Sequence, residues 1–310
     1  MTVLVTGANG FLGAAVCRAL TARGDAVVAI DRQRTSSEAG DIPFEEIDIT
    51  DLGAVERVFA RYSPSKVVHC AAVVIGGIPK GERISEILKV NIDGSNNLYD
   101  VMARAGKGRC LHISSEEIYG EFDSDIISED HACSPGTPYA ISKLAVEQLG
   151  RYYSHNYGLD VVNVRTSWVY GAGLPRMRIP RNIVEAAFFK RPLHLPNGQD
   201  TRIDHTYIED FVDGTLKLLD AEKLNFDIYN ISSGVALSIG ELVEILNRLV
   251  PEARLSVGEG PLLDAADNAL PRKGALDCSR ASSEVGYCAR FPPELGLQVY
   301  LQALAEKERS

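Results

Sequence analysis

The first twenty-two residues leave this chain little freedom. The apolar run Val3-Leu4-Val5 leads directly into Thr6-Gly7-Ala8-Asn9-Gly10-Phe11-Leu12-Gly13, and Phe11–Ala22 then reads as a helix. A short strand without polar alternation is buried on both faces, as in a parallel sheet covered by helices. The glycine-rich turn lets backbone N–H groups approach an anion closely, and the helix N-terminus adds partial positive charge. Gly7 permits the turn, Gly10 the close approach and Gly13 tight packing of helix on strand. Asn9, Phe11 and Leu12 complete the loop that would hold a dinucleotide pyrophosphate.

The same rhythm continues. Strand-like runs recur at Ala26–Ile30, Phe44–Ile47, Lys66–Cys70, Cys110–Ile113 and Val161–Val164. Helical patterns lie between them at Leu52–Tyr62, Ile84–Ala105 and Tyr139–Tyr153. Alternating strands and helices predict an α/β fold with a doubly wound parallel sheet. The second half is crowded with proline. It keeps helical patterns near Ile183–Phe189, Glu209–Leu219 and Ile239–Leu249, and a strand near Phe226–Ile231. We read residues 1–170 as a nucleotide-binding domain and 171–310 as a smaller substrate-binding lobe, with part of 203–232 returning to the sheet.

Strand two ends in Asp31, 18 residues beyond Gly13. A carboxylate there accepts both ribose hydroxyls of NAD and repels a 2′-phosphate. Arg32 beside it is the one feature that would suit NADP. Asp48-Ile49, after the third strand, is placed to meet the adenine, with a helix cap as the plain alternative for Asp48. Ala71-Ala72 follow the fourth strand, where small side chains let backbone pass the cofactor. The next stretch, Val73-Val74-Ile75-Gly76-Gly77-Ile78, is unusually apolar for a wall touching a sugar.

A net charge of −10 makes nucleic acid and anionic membrane surfaces poor partners. No apolar run reaches the roughly 18 residues that span a bilayer. Six scattered cysteines form no C-x-x-C pair, so no metal site is expected. With no signal peptide visible, these features point to a cytoplasmic protein.

Tyr139-Ala140-Ile141-Ser142-Lys143 opens a helix just after Pro138. Positions i and i+4 share a face, so the phenol and the ammonium can enter one cleft. A nearby ammonium is expected to lower the tyrosine's titration point and make it a base. Ser115 ends the fifth strand, where ligands of a parallel sheet bind, and can hold the substrate oxygen.

Thr6–Gly13, Ser115, Tyr139 and Lys143 together resemble the extended short-chain dehydrogenase/reductases, the nucleotide-sugar epimerase and dehydratase group. Supporting stretches run along nearly the whole chain: His69-Cys70-Ala71-Ala72, Val90-Asn91-Ile92-Asp93-Gly94, Ser114–Gly120, Arg165–Gly171, Tyr207–Asp210 and Tyr229-Asn230-Ile231. The resemblance implies a Rossmann fold, tightly held NAD and a Ser115–Tyr139–Lys143 catalytic trio. Lys143 would also hold the nicotinamide ribose, and Asn91 joins the cofactor contacts. It further implies a sugar-modifying epimerase or dehydratase. A simple dehydrogenase of a small hydroxy acid, aldose or polyol is the alternative. Glu117 is the candidate additional acid/base, a role that elimination or decarboxylation requires, and Glu116 is a candidate substrate contact. Asn182, Arg202 and Arg272 are the candidate nucleotide contacts, although neither arginine keeps the family's spacing. Family members commonly dimerise through two helices. The candidates here lie in Ile84–Ala105 and Tyr139–Tyr153, with Leu98, Val101, Leu144 and Leu149 available to a homodimer.

Overall fold

A computed structural model describes residues 1–34, 42–74, 84–106, 108–264 and 267–309. Residues 75–78 of the apolar stretch after Ala72 lie outside the described residues.

The first half runs β1 (Thr2–Thr6), α1 (Phe11–Ala22), β2 (Ala26–Asp31), β3 (Phe44–Glu46), α2 (Leu52–Tyr62) and β4 (Lys66–His69). It continues through α3 (Ile84–Leu88), a π-helical turn at Lys89–Asp93, α4 (Gly94–Ala105), β5 (Arg109–Ile113) and a 3-10 turn at Glu116–Tyr119. Then come β6 (Ile126–Ile127), α5 (Pro138–Tyr157), β7 (Asp160–Thr166) and β8 (Trp168–Tyr170). The second half adds α6 (Arg181–Phe188), β9 (Leu193–Leu195), β10 (Arg202–Tyr207), α7 (Ile208–Asp220), β11 (Ile228–Ile231), β12 (Ala236–Ser238) and α8 (Ile239–Leu249). It closes with β13 (Leu255–Val257), β14 (Ala275–Leu276), α9 (Ser279–Val285) and α10 (Pro293–Lys307).

Local chemistry sets several boundaries. Asp51 caps α2 by accepting from Ala54 N, and Ser238 with Glu241 forms a capping box on α8. Thr137 accepts from Ala140 N ahead of Pro138, which fixes where α5 begins. The stretch expected as one helix, Ile84–Ala105, is interrupted by the π turn, which carries the buried Val90 and Asn91.

Seven strands form one parallel sheet in the order β3-β2-β1-β4-β5-β7-β11. The order reverses between β1 and β4, and ligands of such sheets bind outside the strand ends at that point. β11 comes from the second half of the chain and completes one edge of the sheet. One sheet face packs Val16, Leu20, Phe211 and Leu218. The other packs Val55, Phe59, Leu98 and Val146. Leu98 and Val101 are therefore buried inside the subunit and cannot serve a dimer contact, whereas Leu149 and Leu144 are only partly covered.

The smaller lobe has its own core of Ile183, Val184, Leu242, Leu246, Leu297 and Tyr300. β10 pairs in parallel with β8 and antiparallel with β12, which ties the lobe to the sheet's ligand end. No helix among the described residues is long and apolar enough to cross a membrane.

Candidate active site

The end of β1 delivers the glycine turn to the reversal point. Gly7 has φ +67°, and a Cβ there would lie 2.7 Å from both N and Cα of Ala71, so the turn presses against the end of β4. A Cβ on Gly13 would lie 2.2 Å from the Gly7 carbonyl oxygen, so the first turn of α1 sits directly on the loop. Gly10 caps α1 without a side-chain acceptor. Among the described residues, the N–H groups of that first turn therefore have neither an intrahelical nor a side-chain partner. A cradle that admits no side chain, backed by free N–H donors, fits a pyrophosphate.

Asp31 stands at the rim. Its carboxylate accepts from Asn9 N at 2.9 Å and from Arg32 N at 2.7 Å. Each oxygen keeps a further lone pair for a ribose hydroxyl. Arg32 borders the cavities on both sides of the loop and lies 3.7 Å from Glu86. A cavity of about 300 Å³ continues from the loop, with Ile47, Ile49, Val90 and the backbone of Ala71-Ala72 as its wall. Asp48 is not part of that wall. It accepts from Thr50 N at 2.8 Å and holds the turn before α2. Asn91 also departs from expectation. Its amide bonds both the N–H and the carbonyl of Val73 and donates to Ser142 at 2.8 Å, so it braces the wall from behind.

Gly7, Gly10, Ser115, Glu117, Tyr139 and Lys143 all border one cavity of about 470 Å³. The phenol and the glycine loop thus share a cleft. Ser115 accepts from Glu117 N at 3.2 Å and lies close enough to the Tyr139 phenol to favour its ionised form. Lys143 Nζ lies 5.9 Å from the Tyr139 ring centre and donates to the Ile113 carbonyl at 2.6 Å. Behind it, Asn163 Nδ2 donates to Asp227 O, which leaves Asn163 Oδ1 to face His112 Nδ1 at 2.9 Å. His112 therefore donates from Nδ1 and offers Nε2 as an acceptor 3.4 Å from Lys143 Nζ.

Burial pushes Lys143 down to about 8. From the i, i+4 spacing alone the lysine is expected to pull the phenol down. In the structure the phenol moves the other way: burial first, then the Glu117 charge, raise Tyr139, against the Ser115 hydrogen bond and the charges of Arg178 and Arg176. The 5.9 Å between Lys143 Nζ and the ring centre, and the carbonyl that Lys143 already serves, explain the difference. The resting tyrosine is a neutral acid, and further positive charge must enter the cleft before it accepts a proton. Glu117 is raised by burial and by the neighbouring Glu116 charge, and accepts from Thr137 Oγ1 at 3.4 Å. Glu116 is buried and paired with Lys273 at 2.6 Å.

Just behind the site, Ser114 donates to Glu147 at 2.6 Å, and Arg165 grips the same carboxylate through Nε at 3.0 Å and Nη2 at 2.7 Å. This buried set locks the end of β5 to α5, and so fixes Ser115 relative to Tyr139.

A wider cavity of about 950 Å³ opens beyond the phenol toward the smaller lobe. None of the three residues expected to bind nucleotide borders it or the phenol's cleft. Asn182 is turned onto Ile183 N at 2.9 Å. Arg202 bonds the Ala236 carbonyl and Glu241 on the lobe's surface. Arg272 pairs with Asp125 at 2.6 Å. The space is lined instead by Trp168 and by charged side chains of both signs: Arg176, Arg178 and Lys273 with Glu116, Glu117, Glu121 and Asp264. The two arginines stand two apart in a loop that turns tightly between them, Arg178 N bonding the Arg176 carbonyl at 2.9 Å. No spacing rule in the sequence singles them out.

The model of the NAD-dependent epimerase/dehydratase family matches residues 3–232. The chain is 32% identical to a UDP-glucuronate 4-epimerase of Thermodesulfobacterium geofontis, over 80% of each chain. It is 31% identical to a dTDP-glucose 4,6-dehydratase of Neisseria meningitidis, over 97% of this chain and 92% of the relative. Among solved structures, MoeE5 in complex with UDP-glucuronic acid and NAD superposes with a TM-score of 0.87 at 25% identity, over 99% of this chain and all of that one.

Proposed function

The chain belongs to the NAD-dependent epimerase/dehydratase family and is an NAD-dependent enzyme, and from that premise we propose that it transiently oxidises a hydroxyl on the sugar of a nucleotide sugar. The observation that carries this reading is the shared cleft, in which Tyr139 and Ser115 face the same space as the glycine cradle.

The Gly7–Gly13 loop and the N-terminus of α1 would hold the pyrophosphate, Asp31 a ribose, and Lys143 the ribose nearest the phenol. The chemistry NAD supplies when bound is reversible acceptance of hydride from the carbon that carries the hydroxyl. Ser115 orients that hydroxyl. Tyr139 takes its proton and later returns it. Lys143, already depressed to about 8, adds its positive charge without a counter-carboxylate in contact. Glu117, on the same wall and raised by burial and the Glu116 charge, is the second acid/base we assign, acting at the carbon beside the transient ketone. Both an epimerase and a dehydratase stand among the relatives, and either outcome can follow the oxidation proposed here.

In this reading residues 1–170 hold cofactor and 171–310 hold substrate. Six free cysteines suit the cytoplasm. The stripe of α5 that leaves Ile141 and Tyr152 exposed suits a homodimer face.

The test is product analysis. NAD-loaded protein is mixed with UDP- and dTDP-hexoses, and the sugars are resolved by NMR. An epimerised or dehydrated sugar with no steady build-up of NADH supports the reading. Stoichiometric NADH release with an oxidised product overturns it in favour of a simple dehydrogenase.

A further inference from the structure

Two arginines border the reacting phenol's cleft and neither is in a contact ion pair among the described residues, although the Glu117 charge acts on Arg178 across the cleft. Arg176 and Arg178 border both the phenol's cleft and the wider cavity. Arg178 stacks its guanidinium 4.9 Å over Trp168. Its Nε is fully buried and has no hydrogen-bond partner among the described residues. Lys273, on the same wall, is by contrast used by Glu116 and the Gly120 carbonyl. A buried guanidinium left unpaired is costly, and a site keeps one where a ligand supplies the missing charge.

The loop that presents these arginines is braced. Leu174 and Ile179 are buried on either side of them. Arg181 bonds the carbonyls of Leu174 at 2.6 Å and Pro175 at 2.9 Å. The guanidinium fork is therefore pre-set, and a planar fork matches a carboxylate through two parallel bonds.

Position selects the anion. The carbon to be oxidised sits against Tyr139, so an anion at Arg178 must be attached close to that carbon. In a sugar acid the carboxylate is one carbon removed from a ring hydroxyl carbon. The diphosphate of a nucleotide sugar hangs from the anomeric carbon, on the far side of the ring from C4. We propose that Arg178, seconded by Arg176, binds a substrate carboxylate next to the oxidised carbon, so that the enzyme acts on an acidic sugar. This rests on the reading of Tyr139's cleft given above, and it adds the substrate's charge.

Two matched probe pairs separate the sources of such a carboxylate: UDP-glucuronate against UDP-glucose, and free D-glucuronate against D-glucose. Each is titrated calorimetrically into NAD-loaded protein, with UDP alone as reference. The expected result is an acid-over-neutral affinity ratio of about tenfold or more, the scale of one charge-assisted contact. It appears in the UDP arm for a nucleotide-linked acid, and in the free arm alone for an unlinked one. Arg178→Met should bring the ratio to within roughly threefold of one, with Arg178→Lys intermediate, at unchanged melting temperature and NAD content. Ratios near one in both arms overturn the proposal, as does absence of binding. So does an Arg178→Met variant that weakens UDP, UDP-glucose and UDP-glucuronate alike, which assigns the arginine to the diphosphate. Failure of the nucleotide-sugar reading shows separately, as loss of binding by UDP itself.

Discussion

Replacing Lys143 by methionine should make the ligand-free protein respond differently to pH, in a direction the structure dictates. Burial lowers this ammonium from 10.5 to about 8. At about 1.36 kcal/mol per pH unit, holding the charged form inside costs the fold about 3 kcal/mol near neutrality. The sign follows from proton binding. Between about 8 and 10.5 the unfolded chain holds this proton and the folded chain does not, so stability rises with pH through that window. Below about 8 the cost is present in full. Lys143→Met removes the cost at every pH and leaves the Ile113 carbonyl and His112 Nε2 without their donor, a loss of about 1–3 kcal/mol that does not titrate. Near neutrality the two effects largely offset. Raising the pH from roughly 7 to roughly 9.5 should then stabilise the wild type by about 2 kcal/mol relative to Lys143→Met. Urea unfolding of both proteins at the two pH values measures this directly, since groups common to both cancel. Equal pH responses, or a wild type that loses ground on raising the pH, would refute the claim that this lysine is held buried and charged.

Two further outcomes follow from the same geometry. Glu147→Ala strands the buried Arg165 guanidinium, and should cost about 3–5 kcal/mol in denaturant unfolding. Glu147→Leu combined with Arg165→Met should recover most of that loss, and a single variant costing under about 1 kcal/mol would contradict the assignment. Gly13→Ala places a Cβ where the Gly7 carbonyl already sits, so the loop must move. Overpacking of about 1–3 kcal/mol converts to roughly a five- to hundredfold loss of NAD affinity by titration, and wild-type affinity would be the contrary result.

The sheet was legible because its signals are local. β1, α1, β2, α2 and α8 follow from unbroken apolar runs, a glycine turn and caps such as Asp51 and Ser238. The second half was less so. β8, β10 and β12 are short and pair only with segments remote in sequence, and α10 begins on Pro293, which sequence reading takes for a breaker although a first helical position tolerates it. At the site, Ser115, Tyr139 and Lys143 were readable from spacing, because one helix and one strand end carry them. The substrate side was not. Arg202 and Arg272 looked suitable by type, yet each is claimed by a nearby carboxylate, Glu241 and Asp125, that no spacing rule reveals. Arg176 and Arg178 matter because of where a braced loop carries them. The direction of the Tyr139 shift also required coordinates, since it depends on burial and on Glu117.

The central claim is that a buried phenol beside the glycine cradle carries the proton. Tyr139→Phe removes one oxygen and keeps the ring. With NAD affinity checked by titration, kcat on the accepted nucleotide sugar should fall about 10²–10⁴-fold, the range for a positioned acid/base. A variant that binds NAD and retains activity within about tenfold of the wild type would contradict the account.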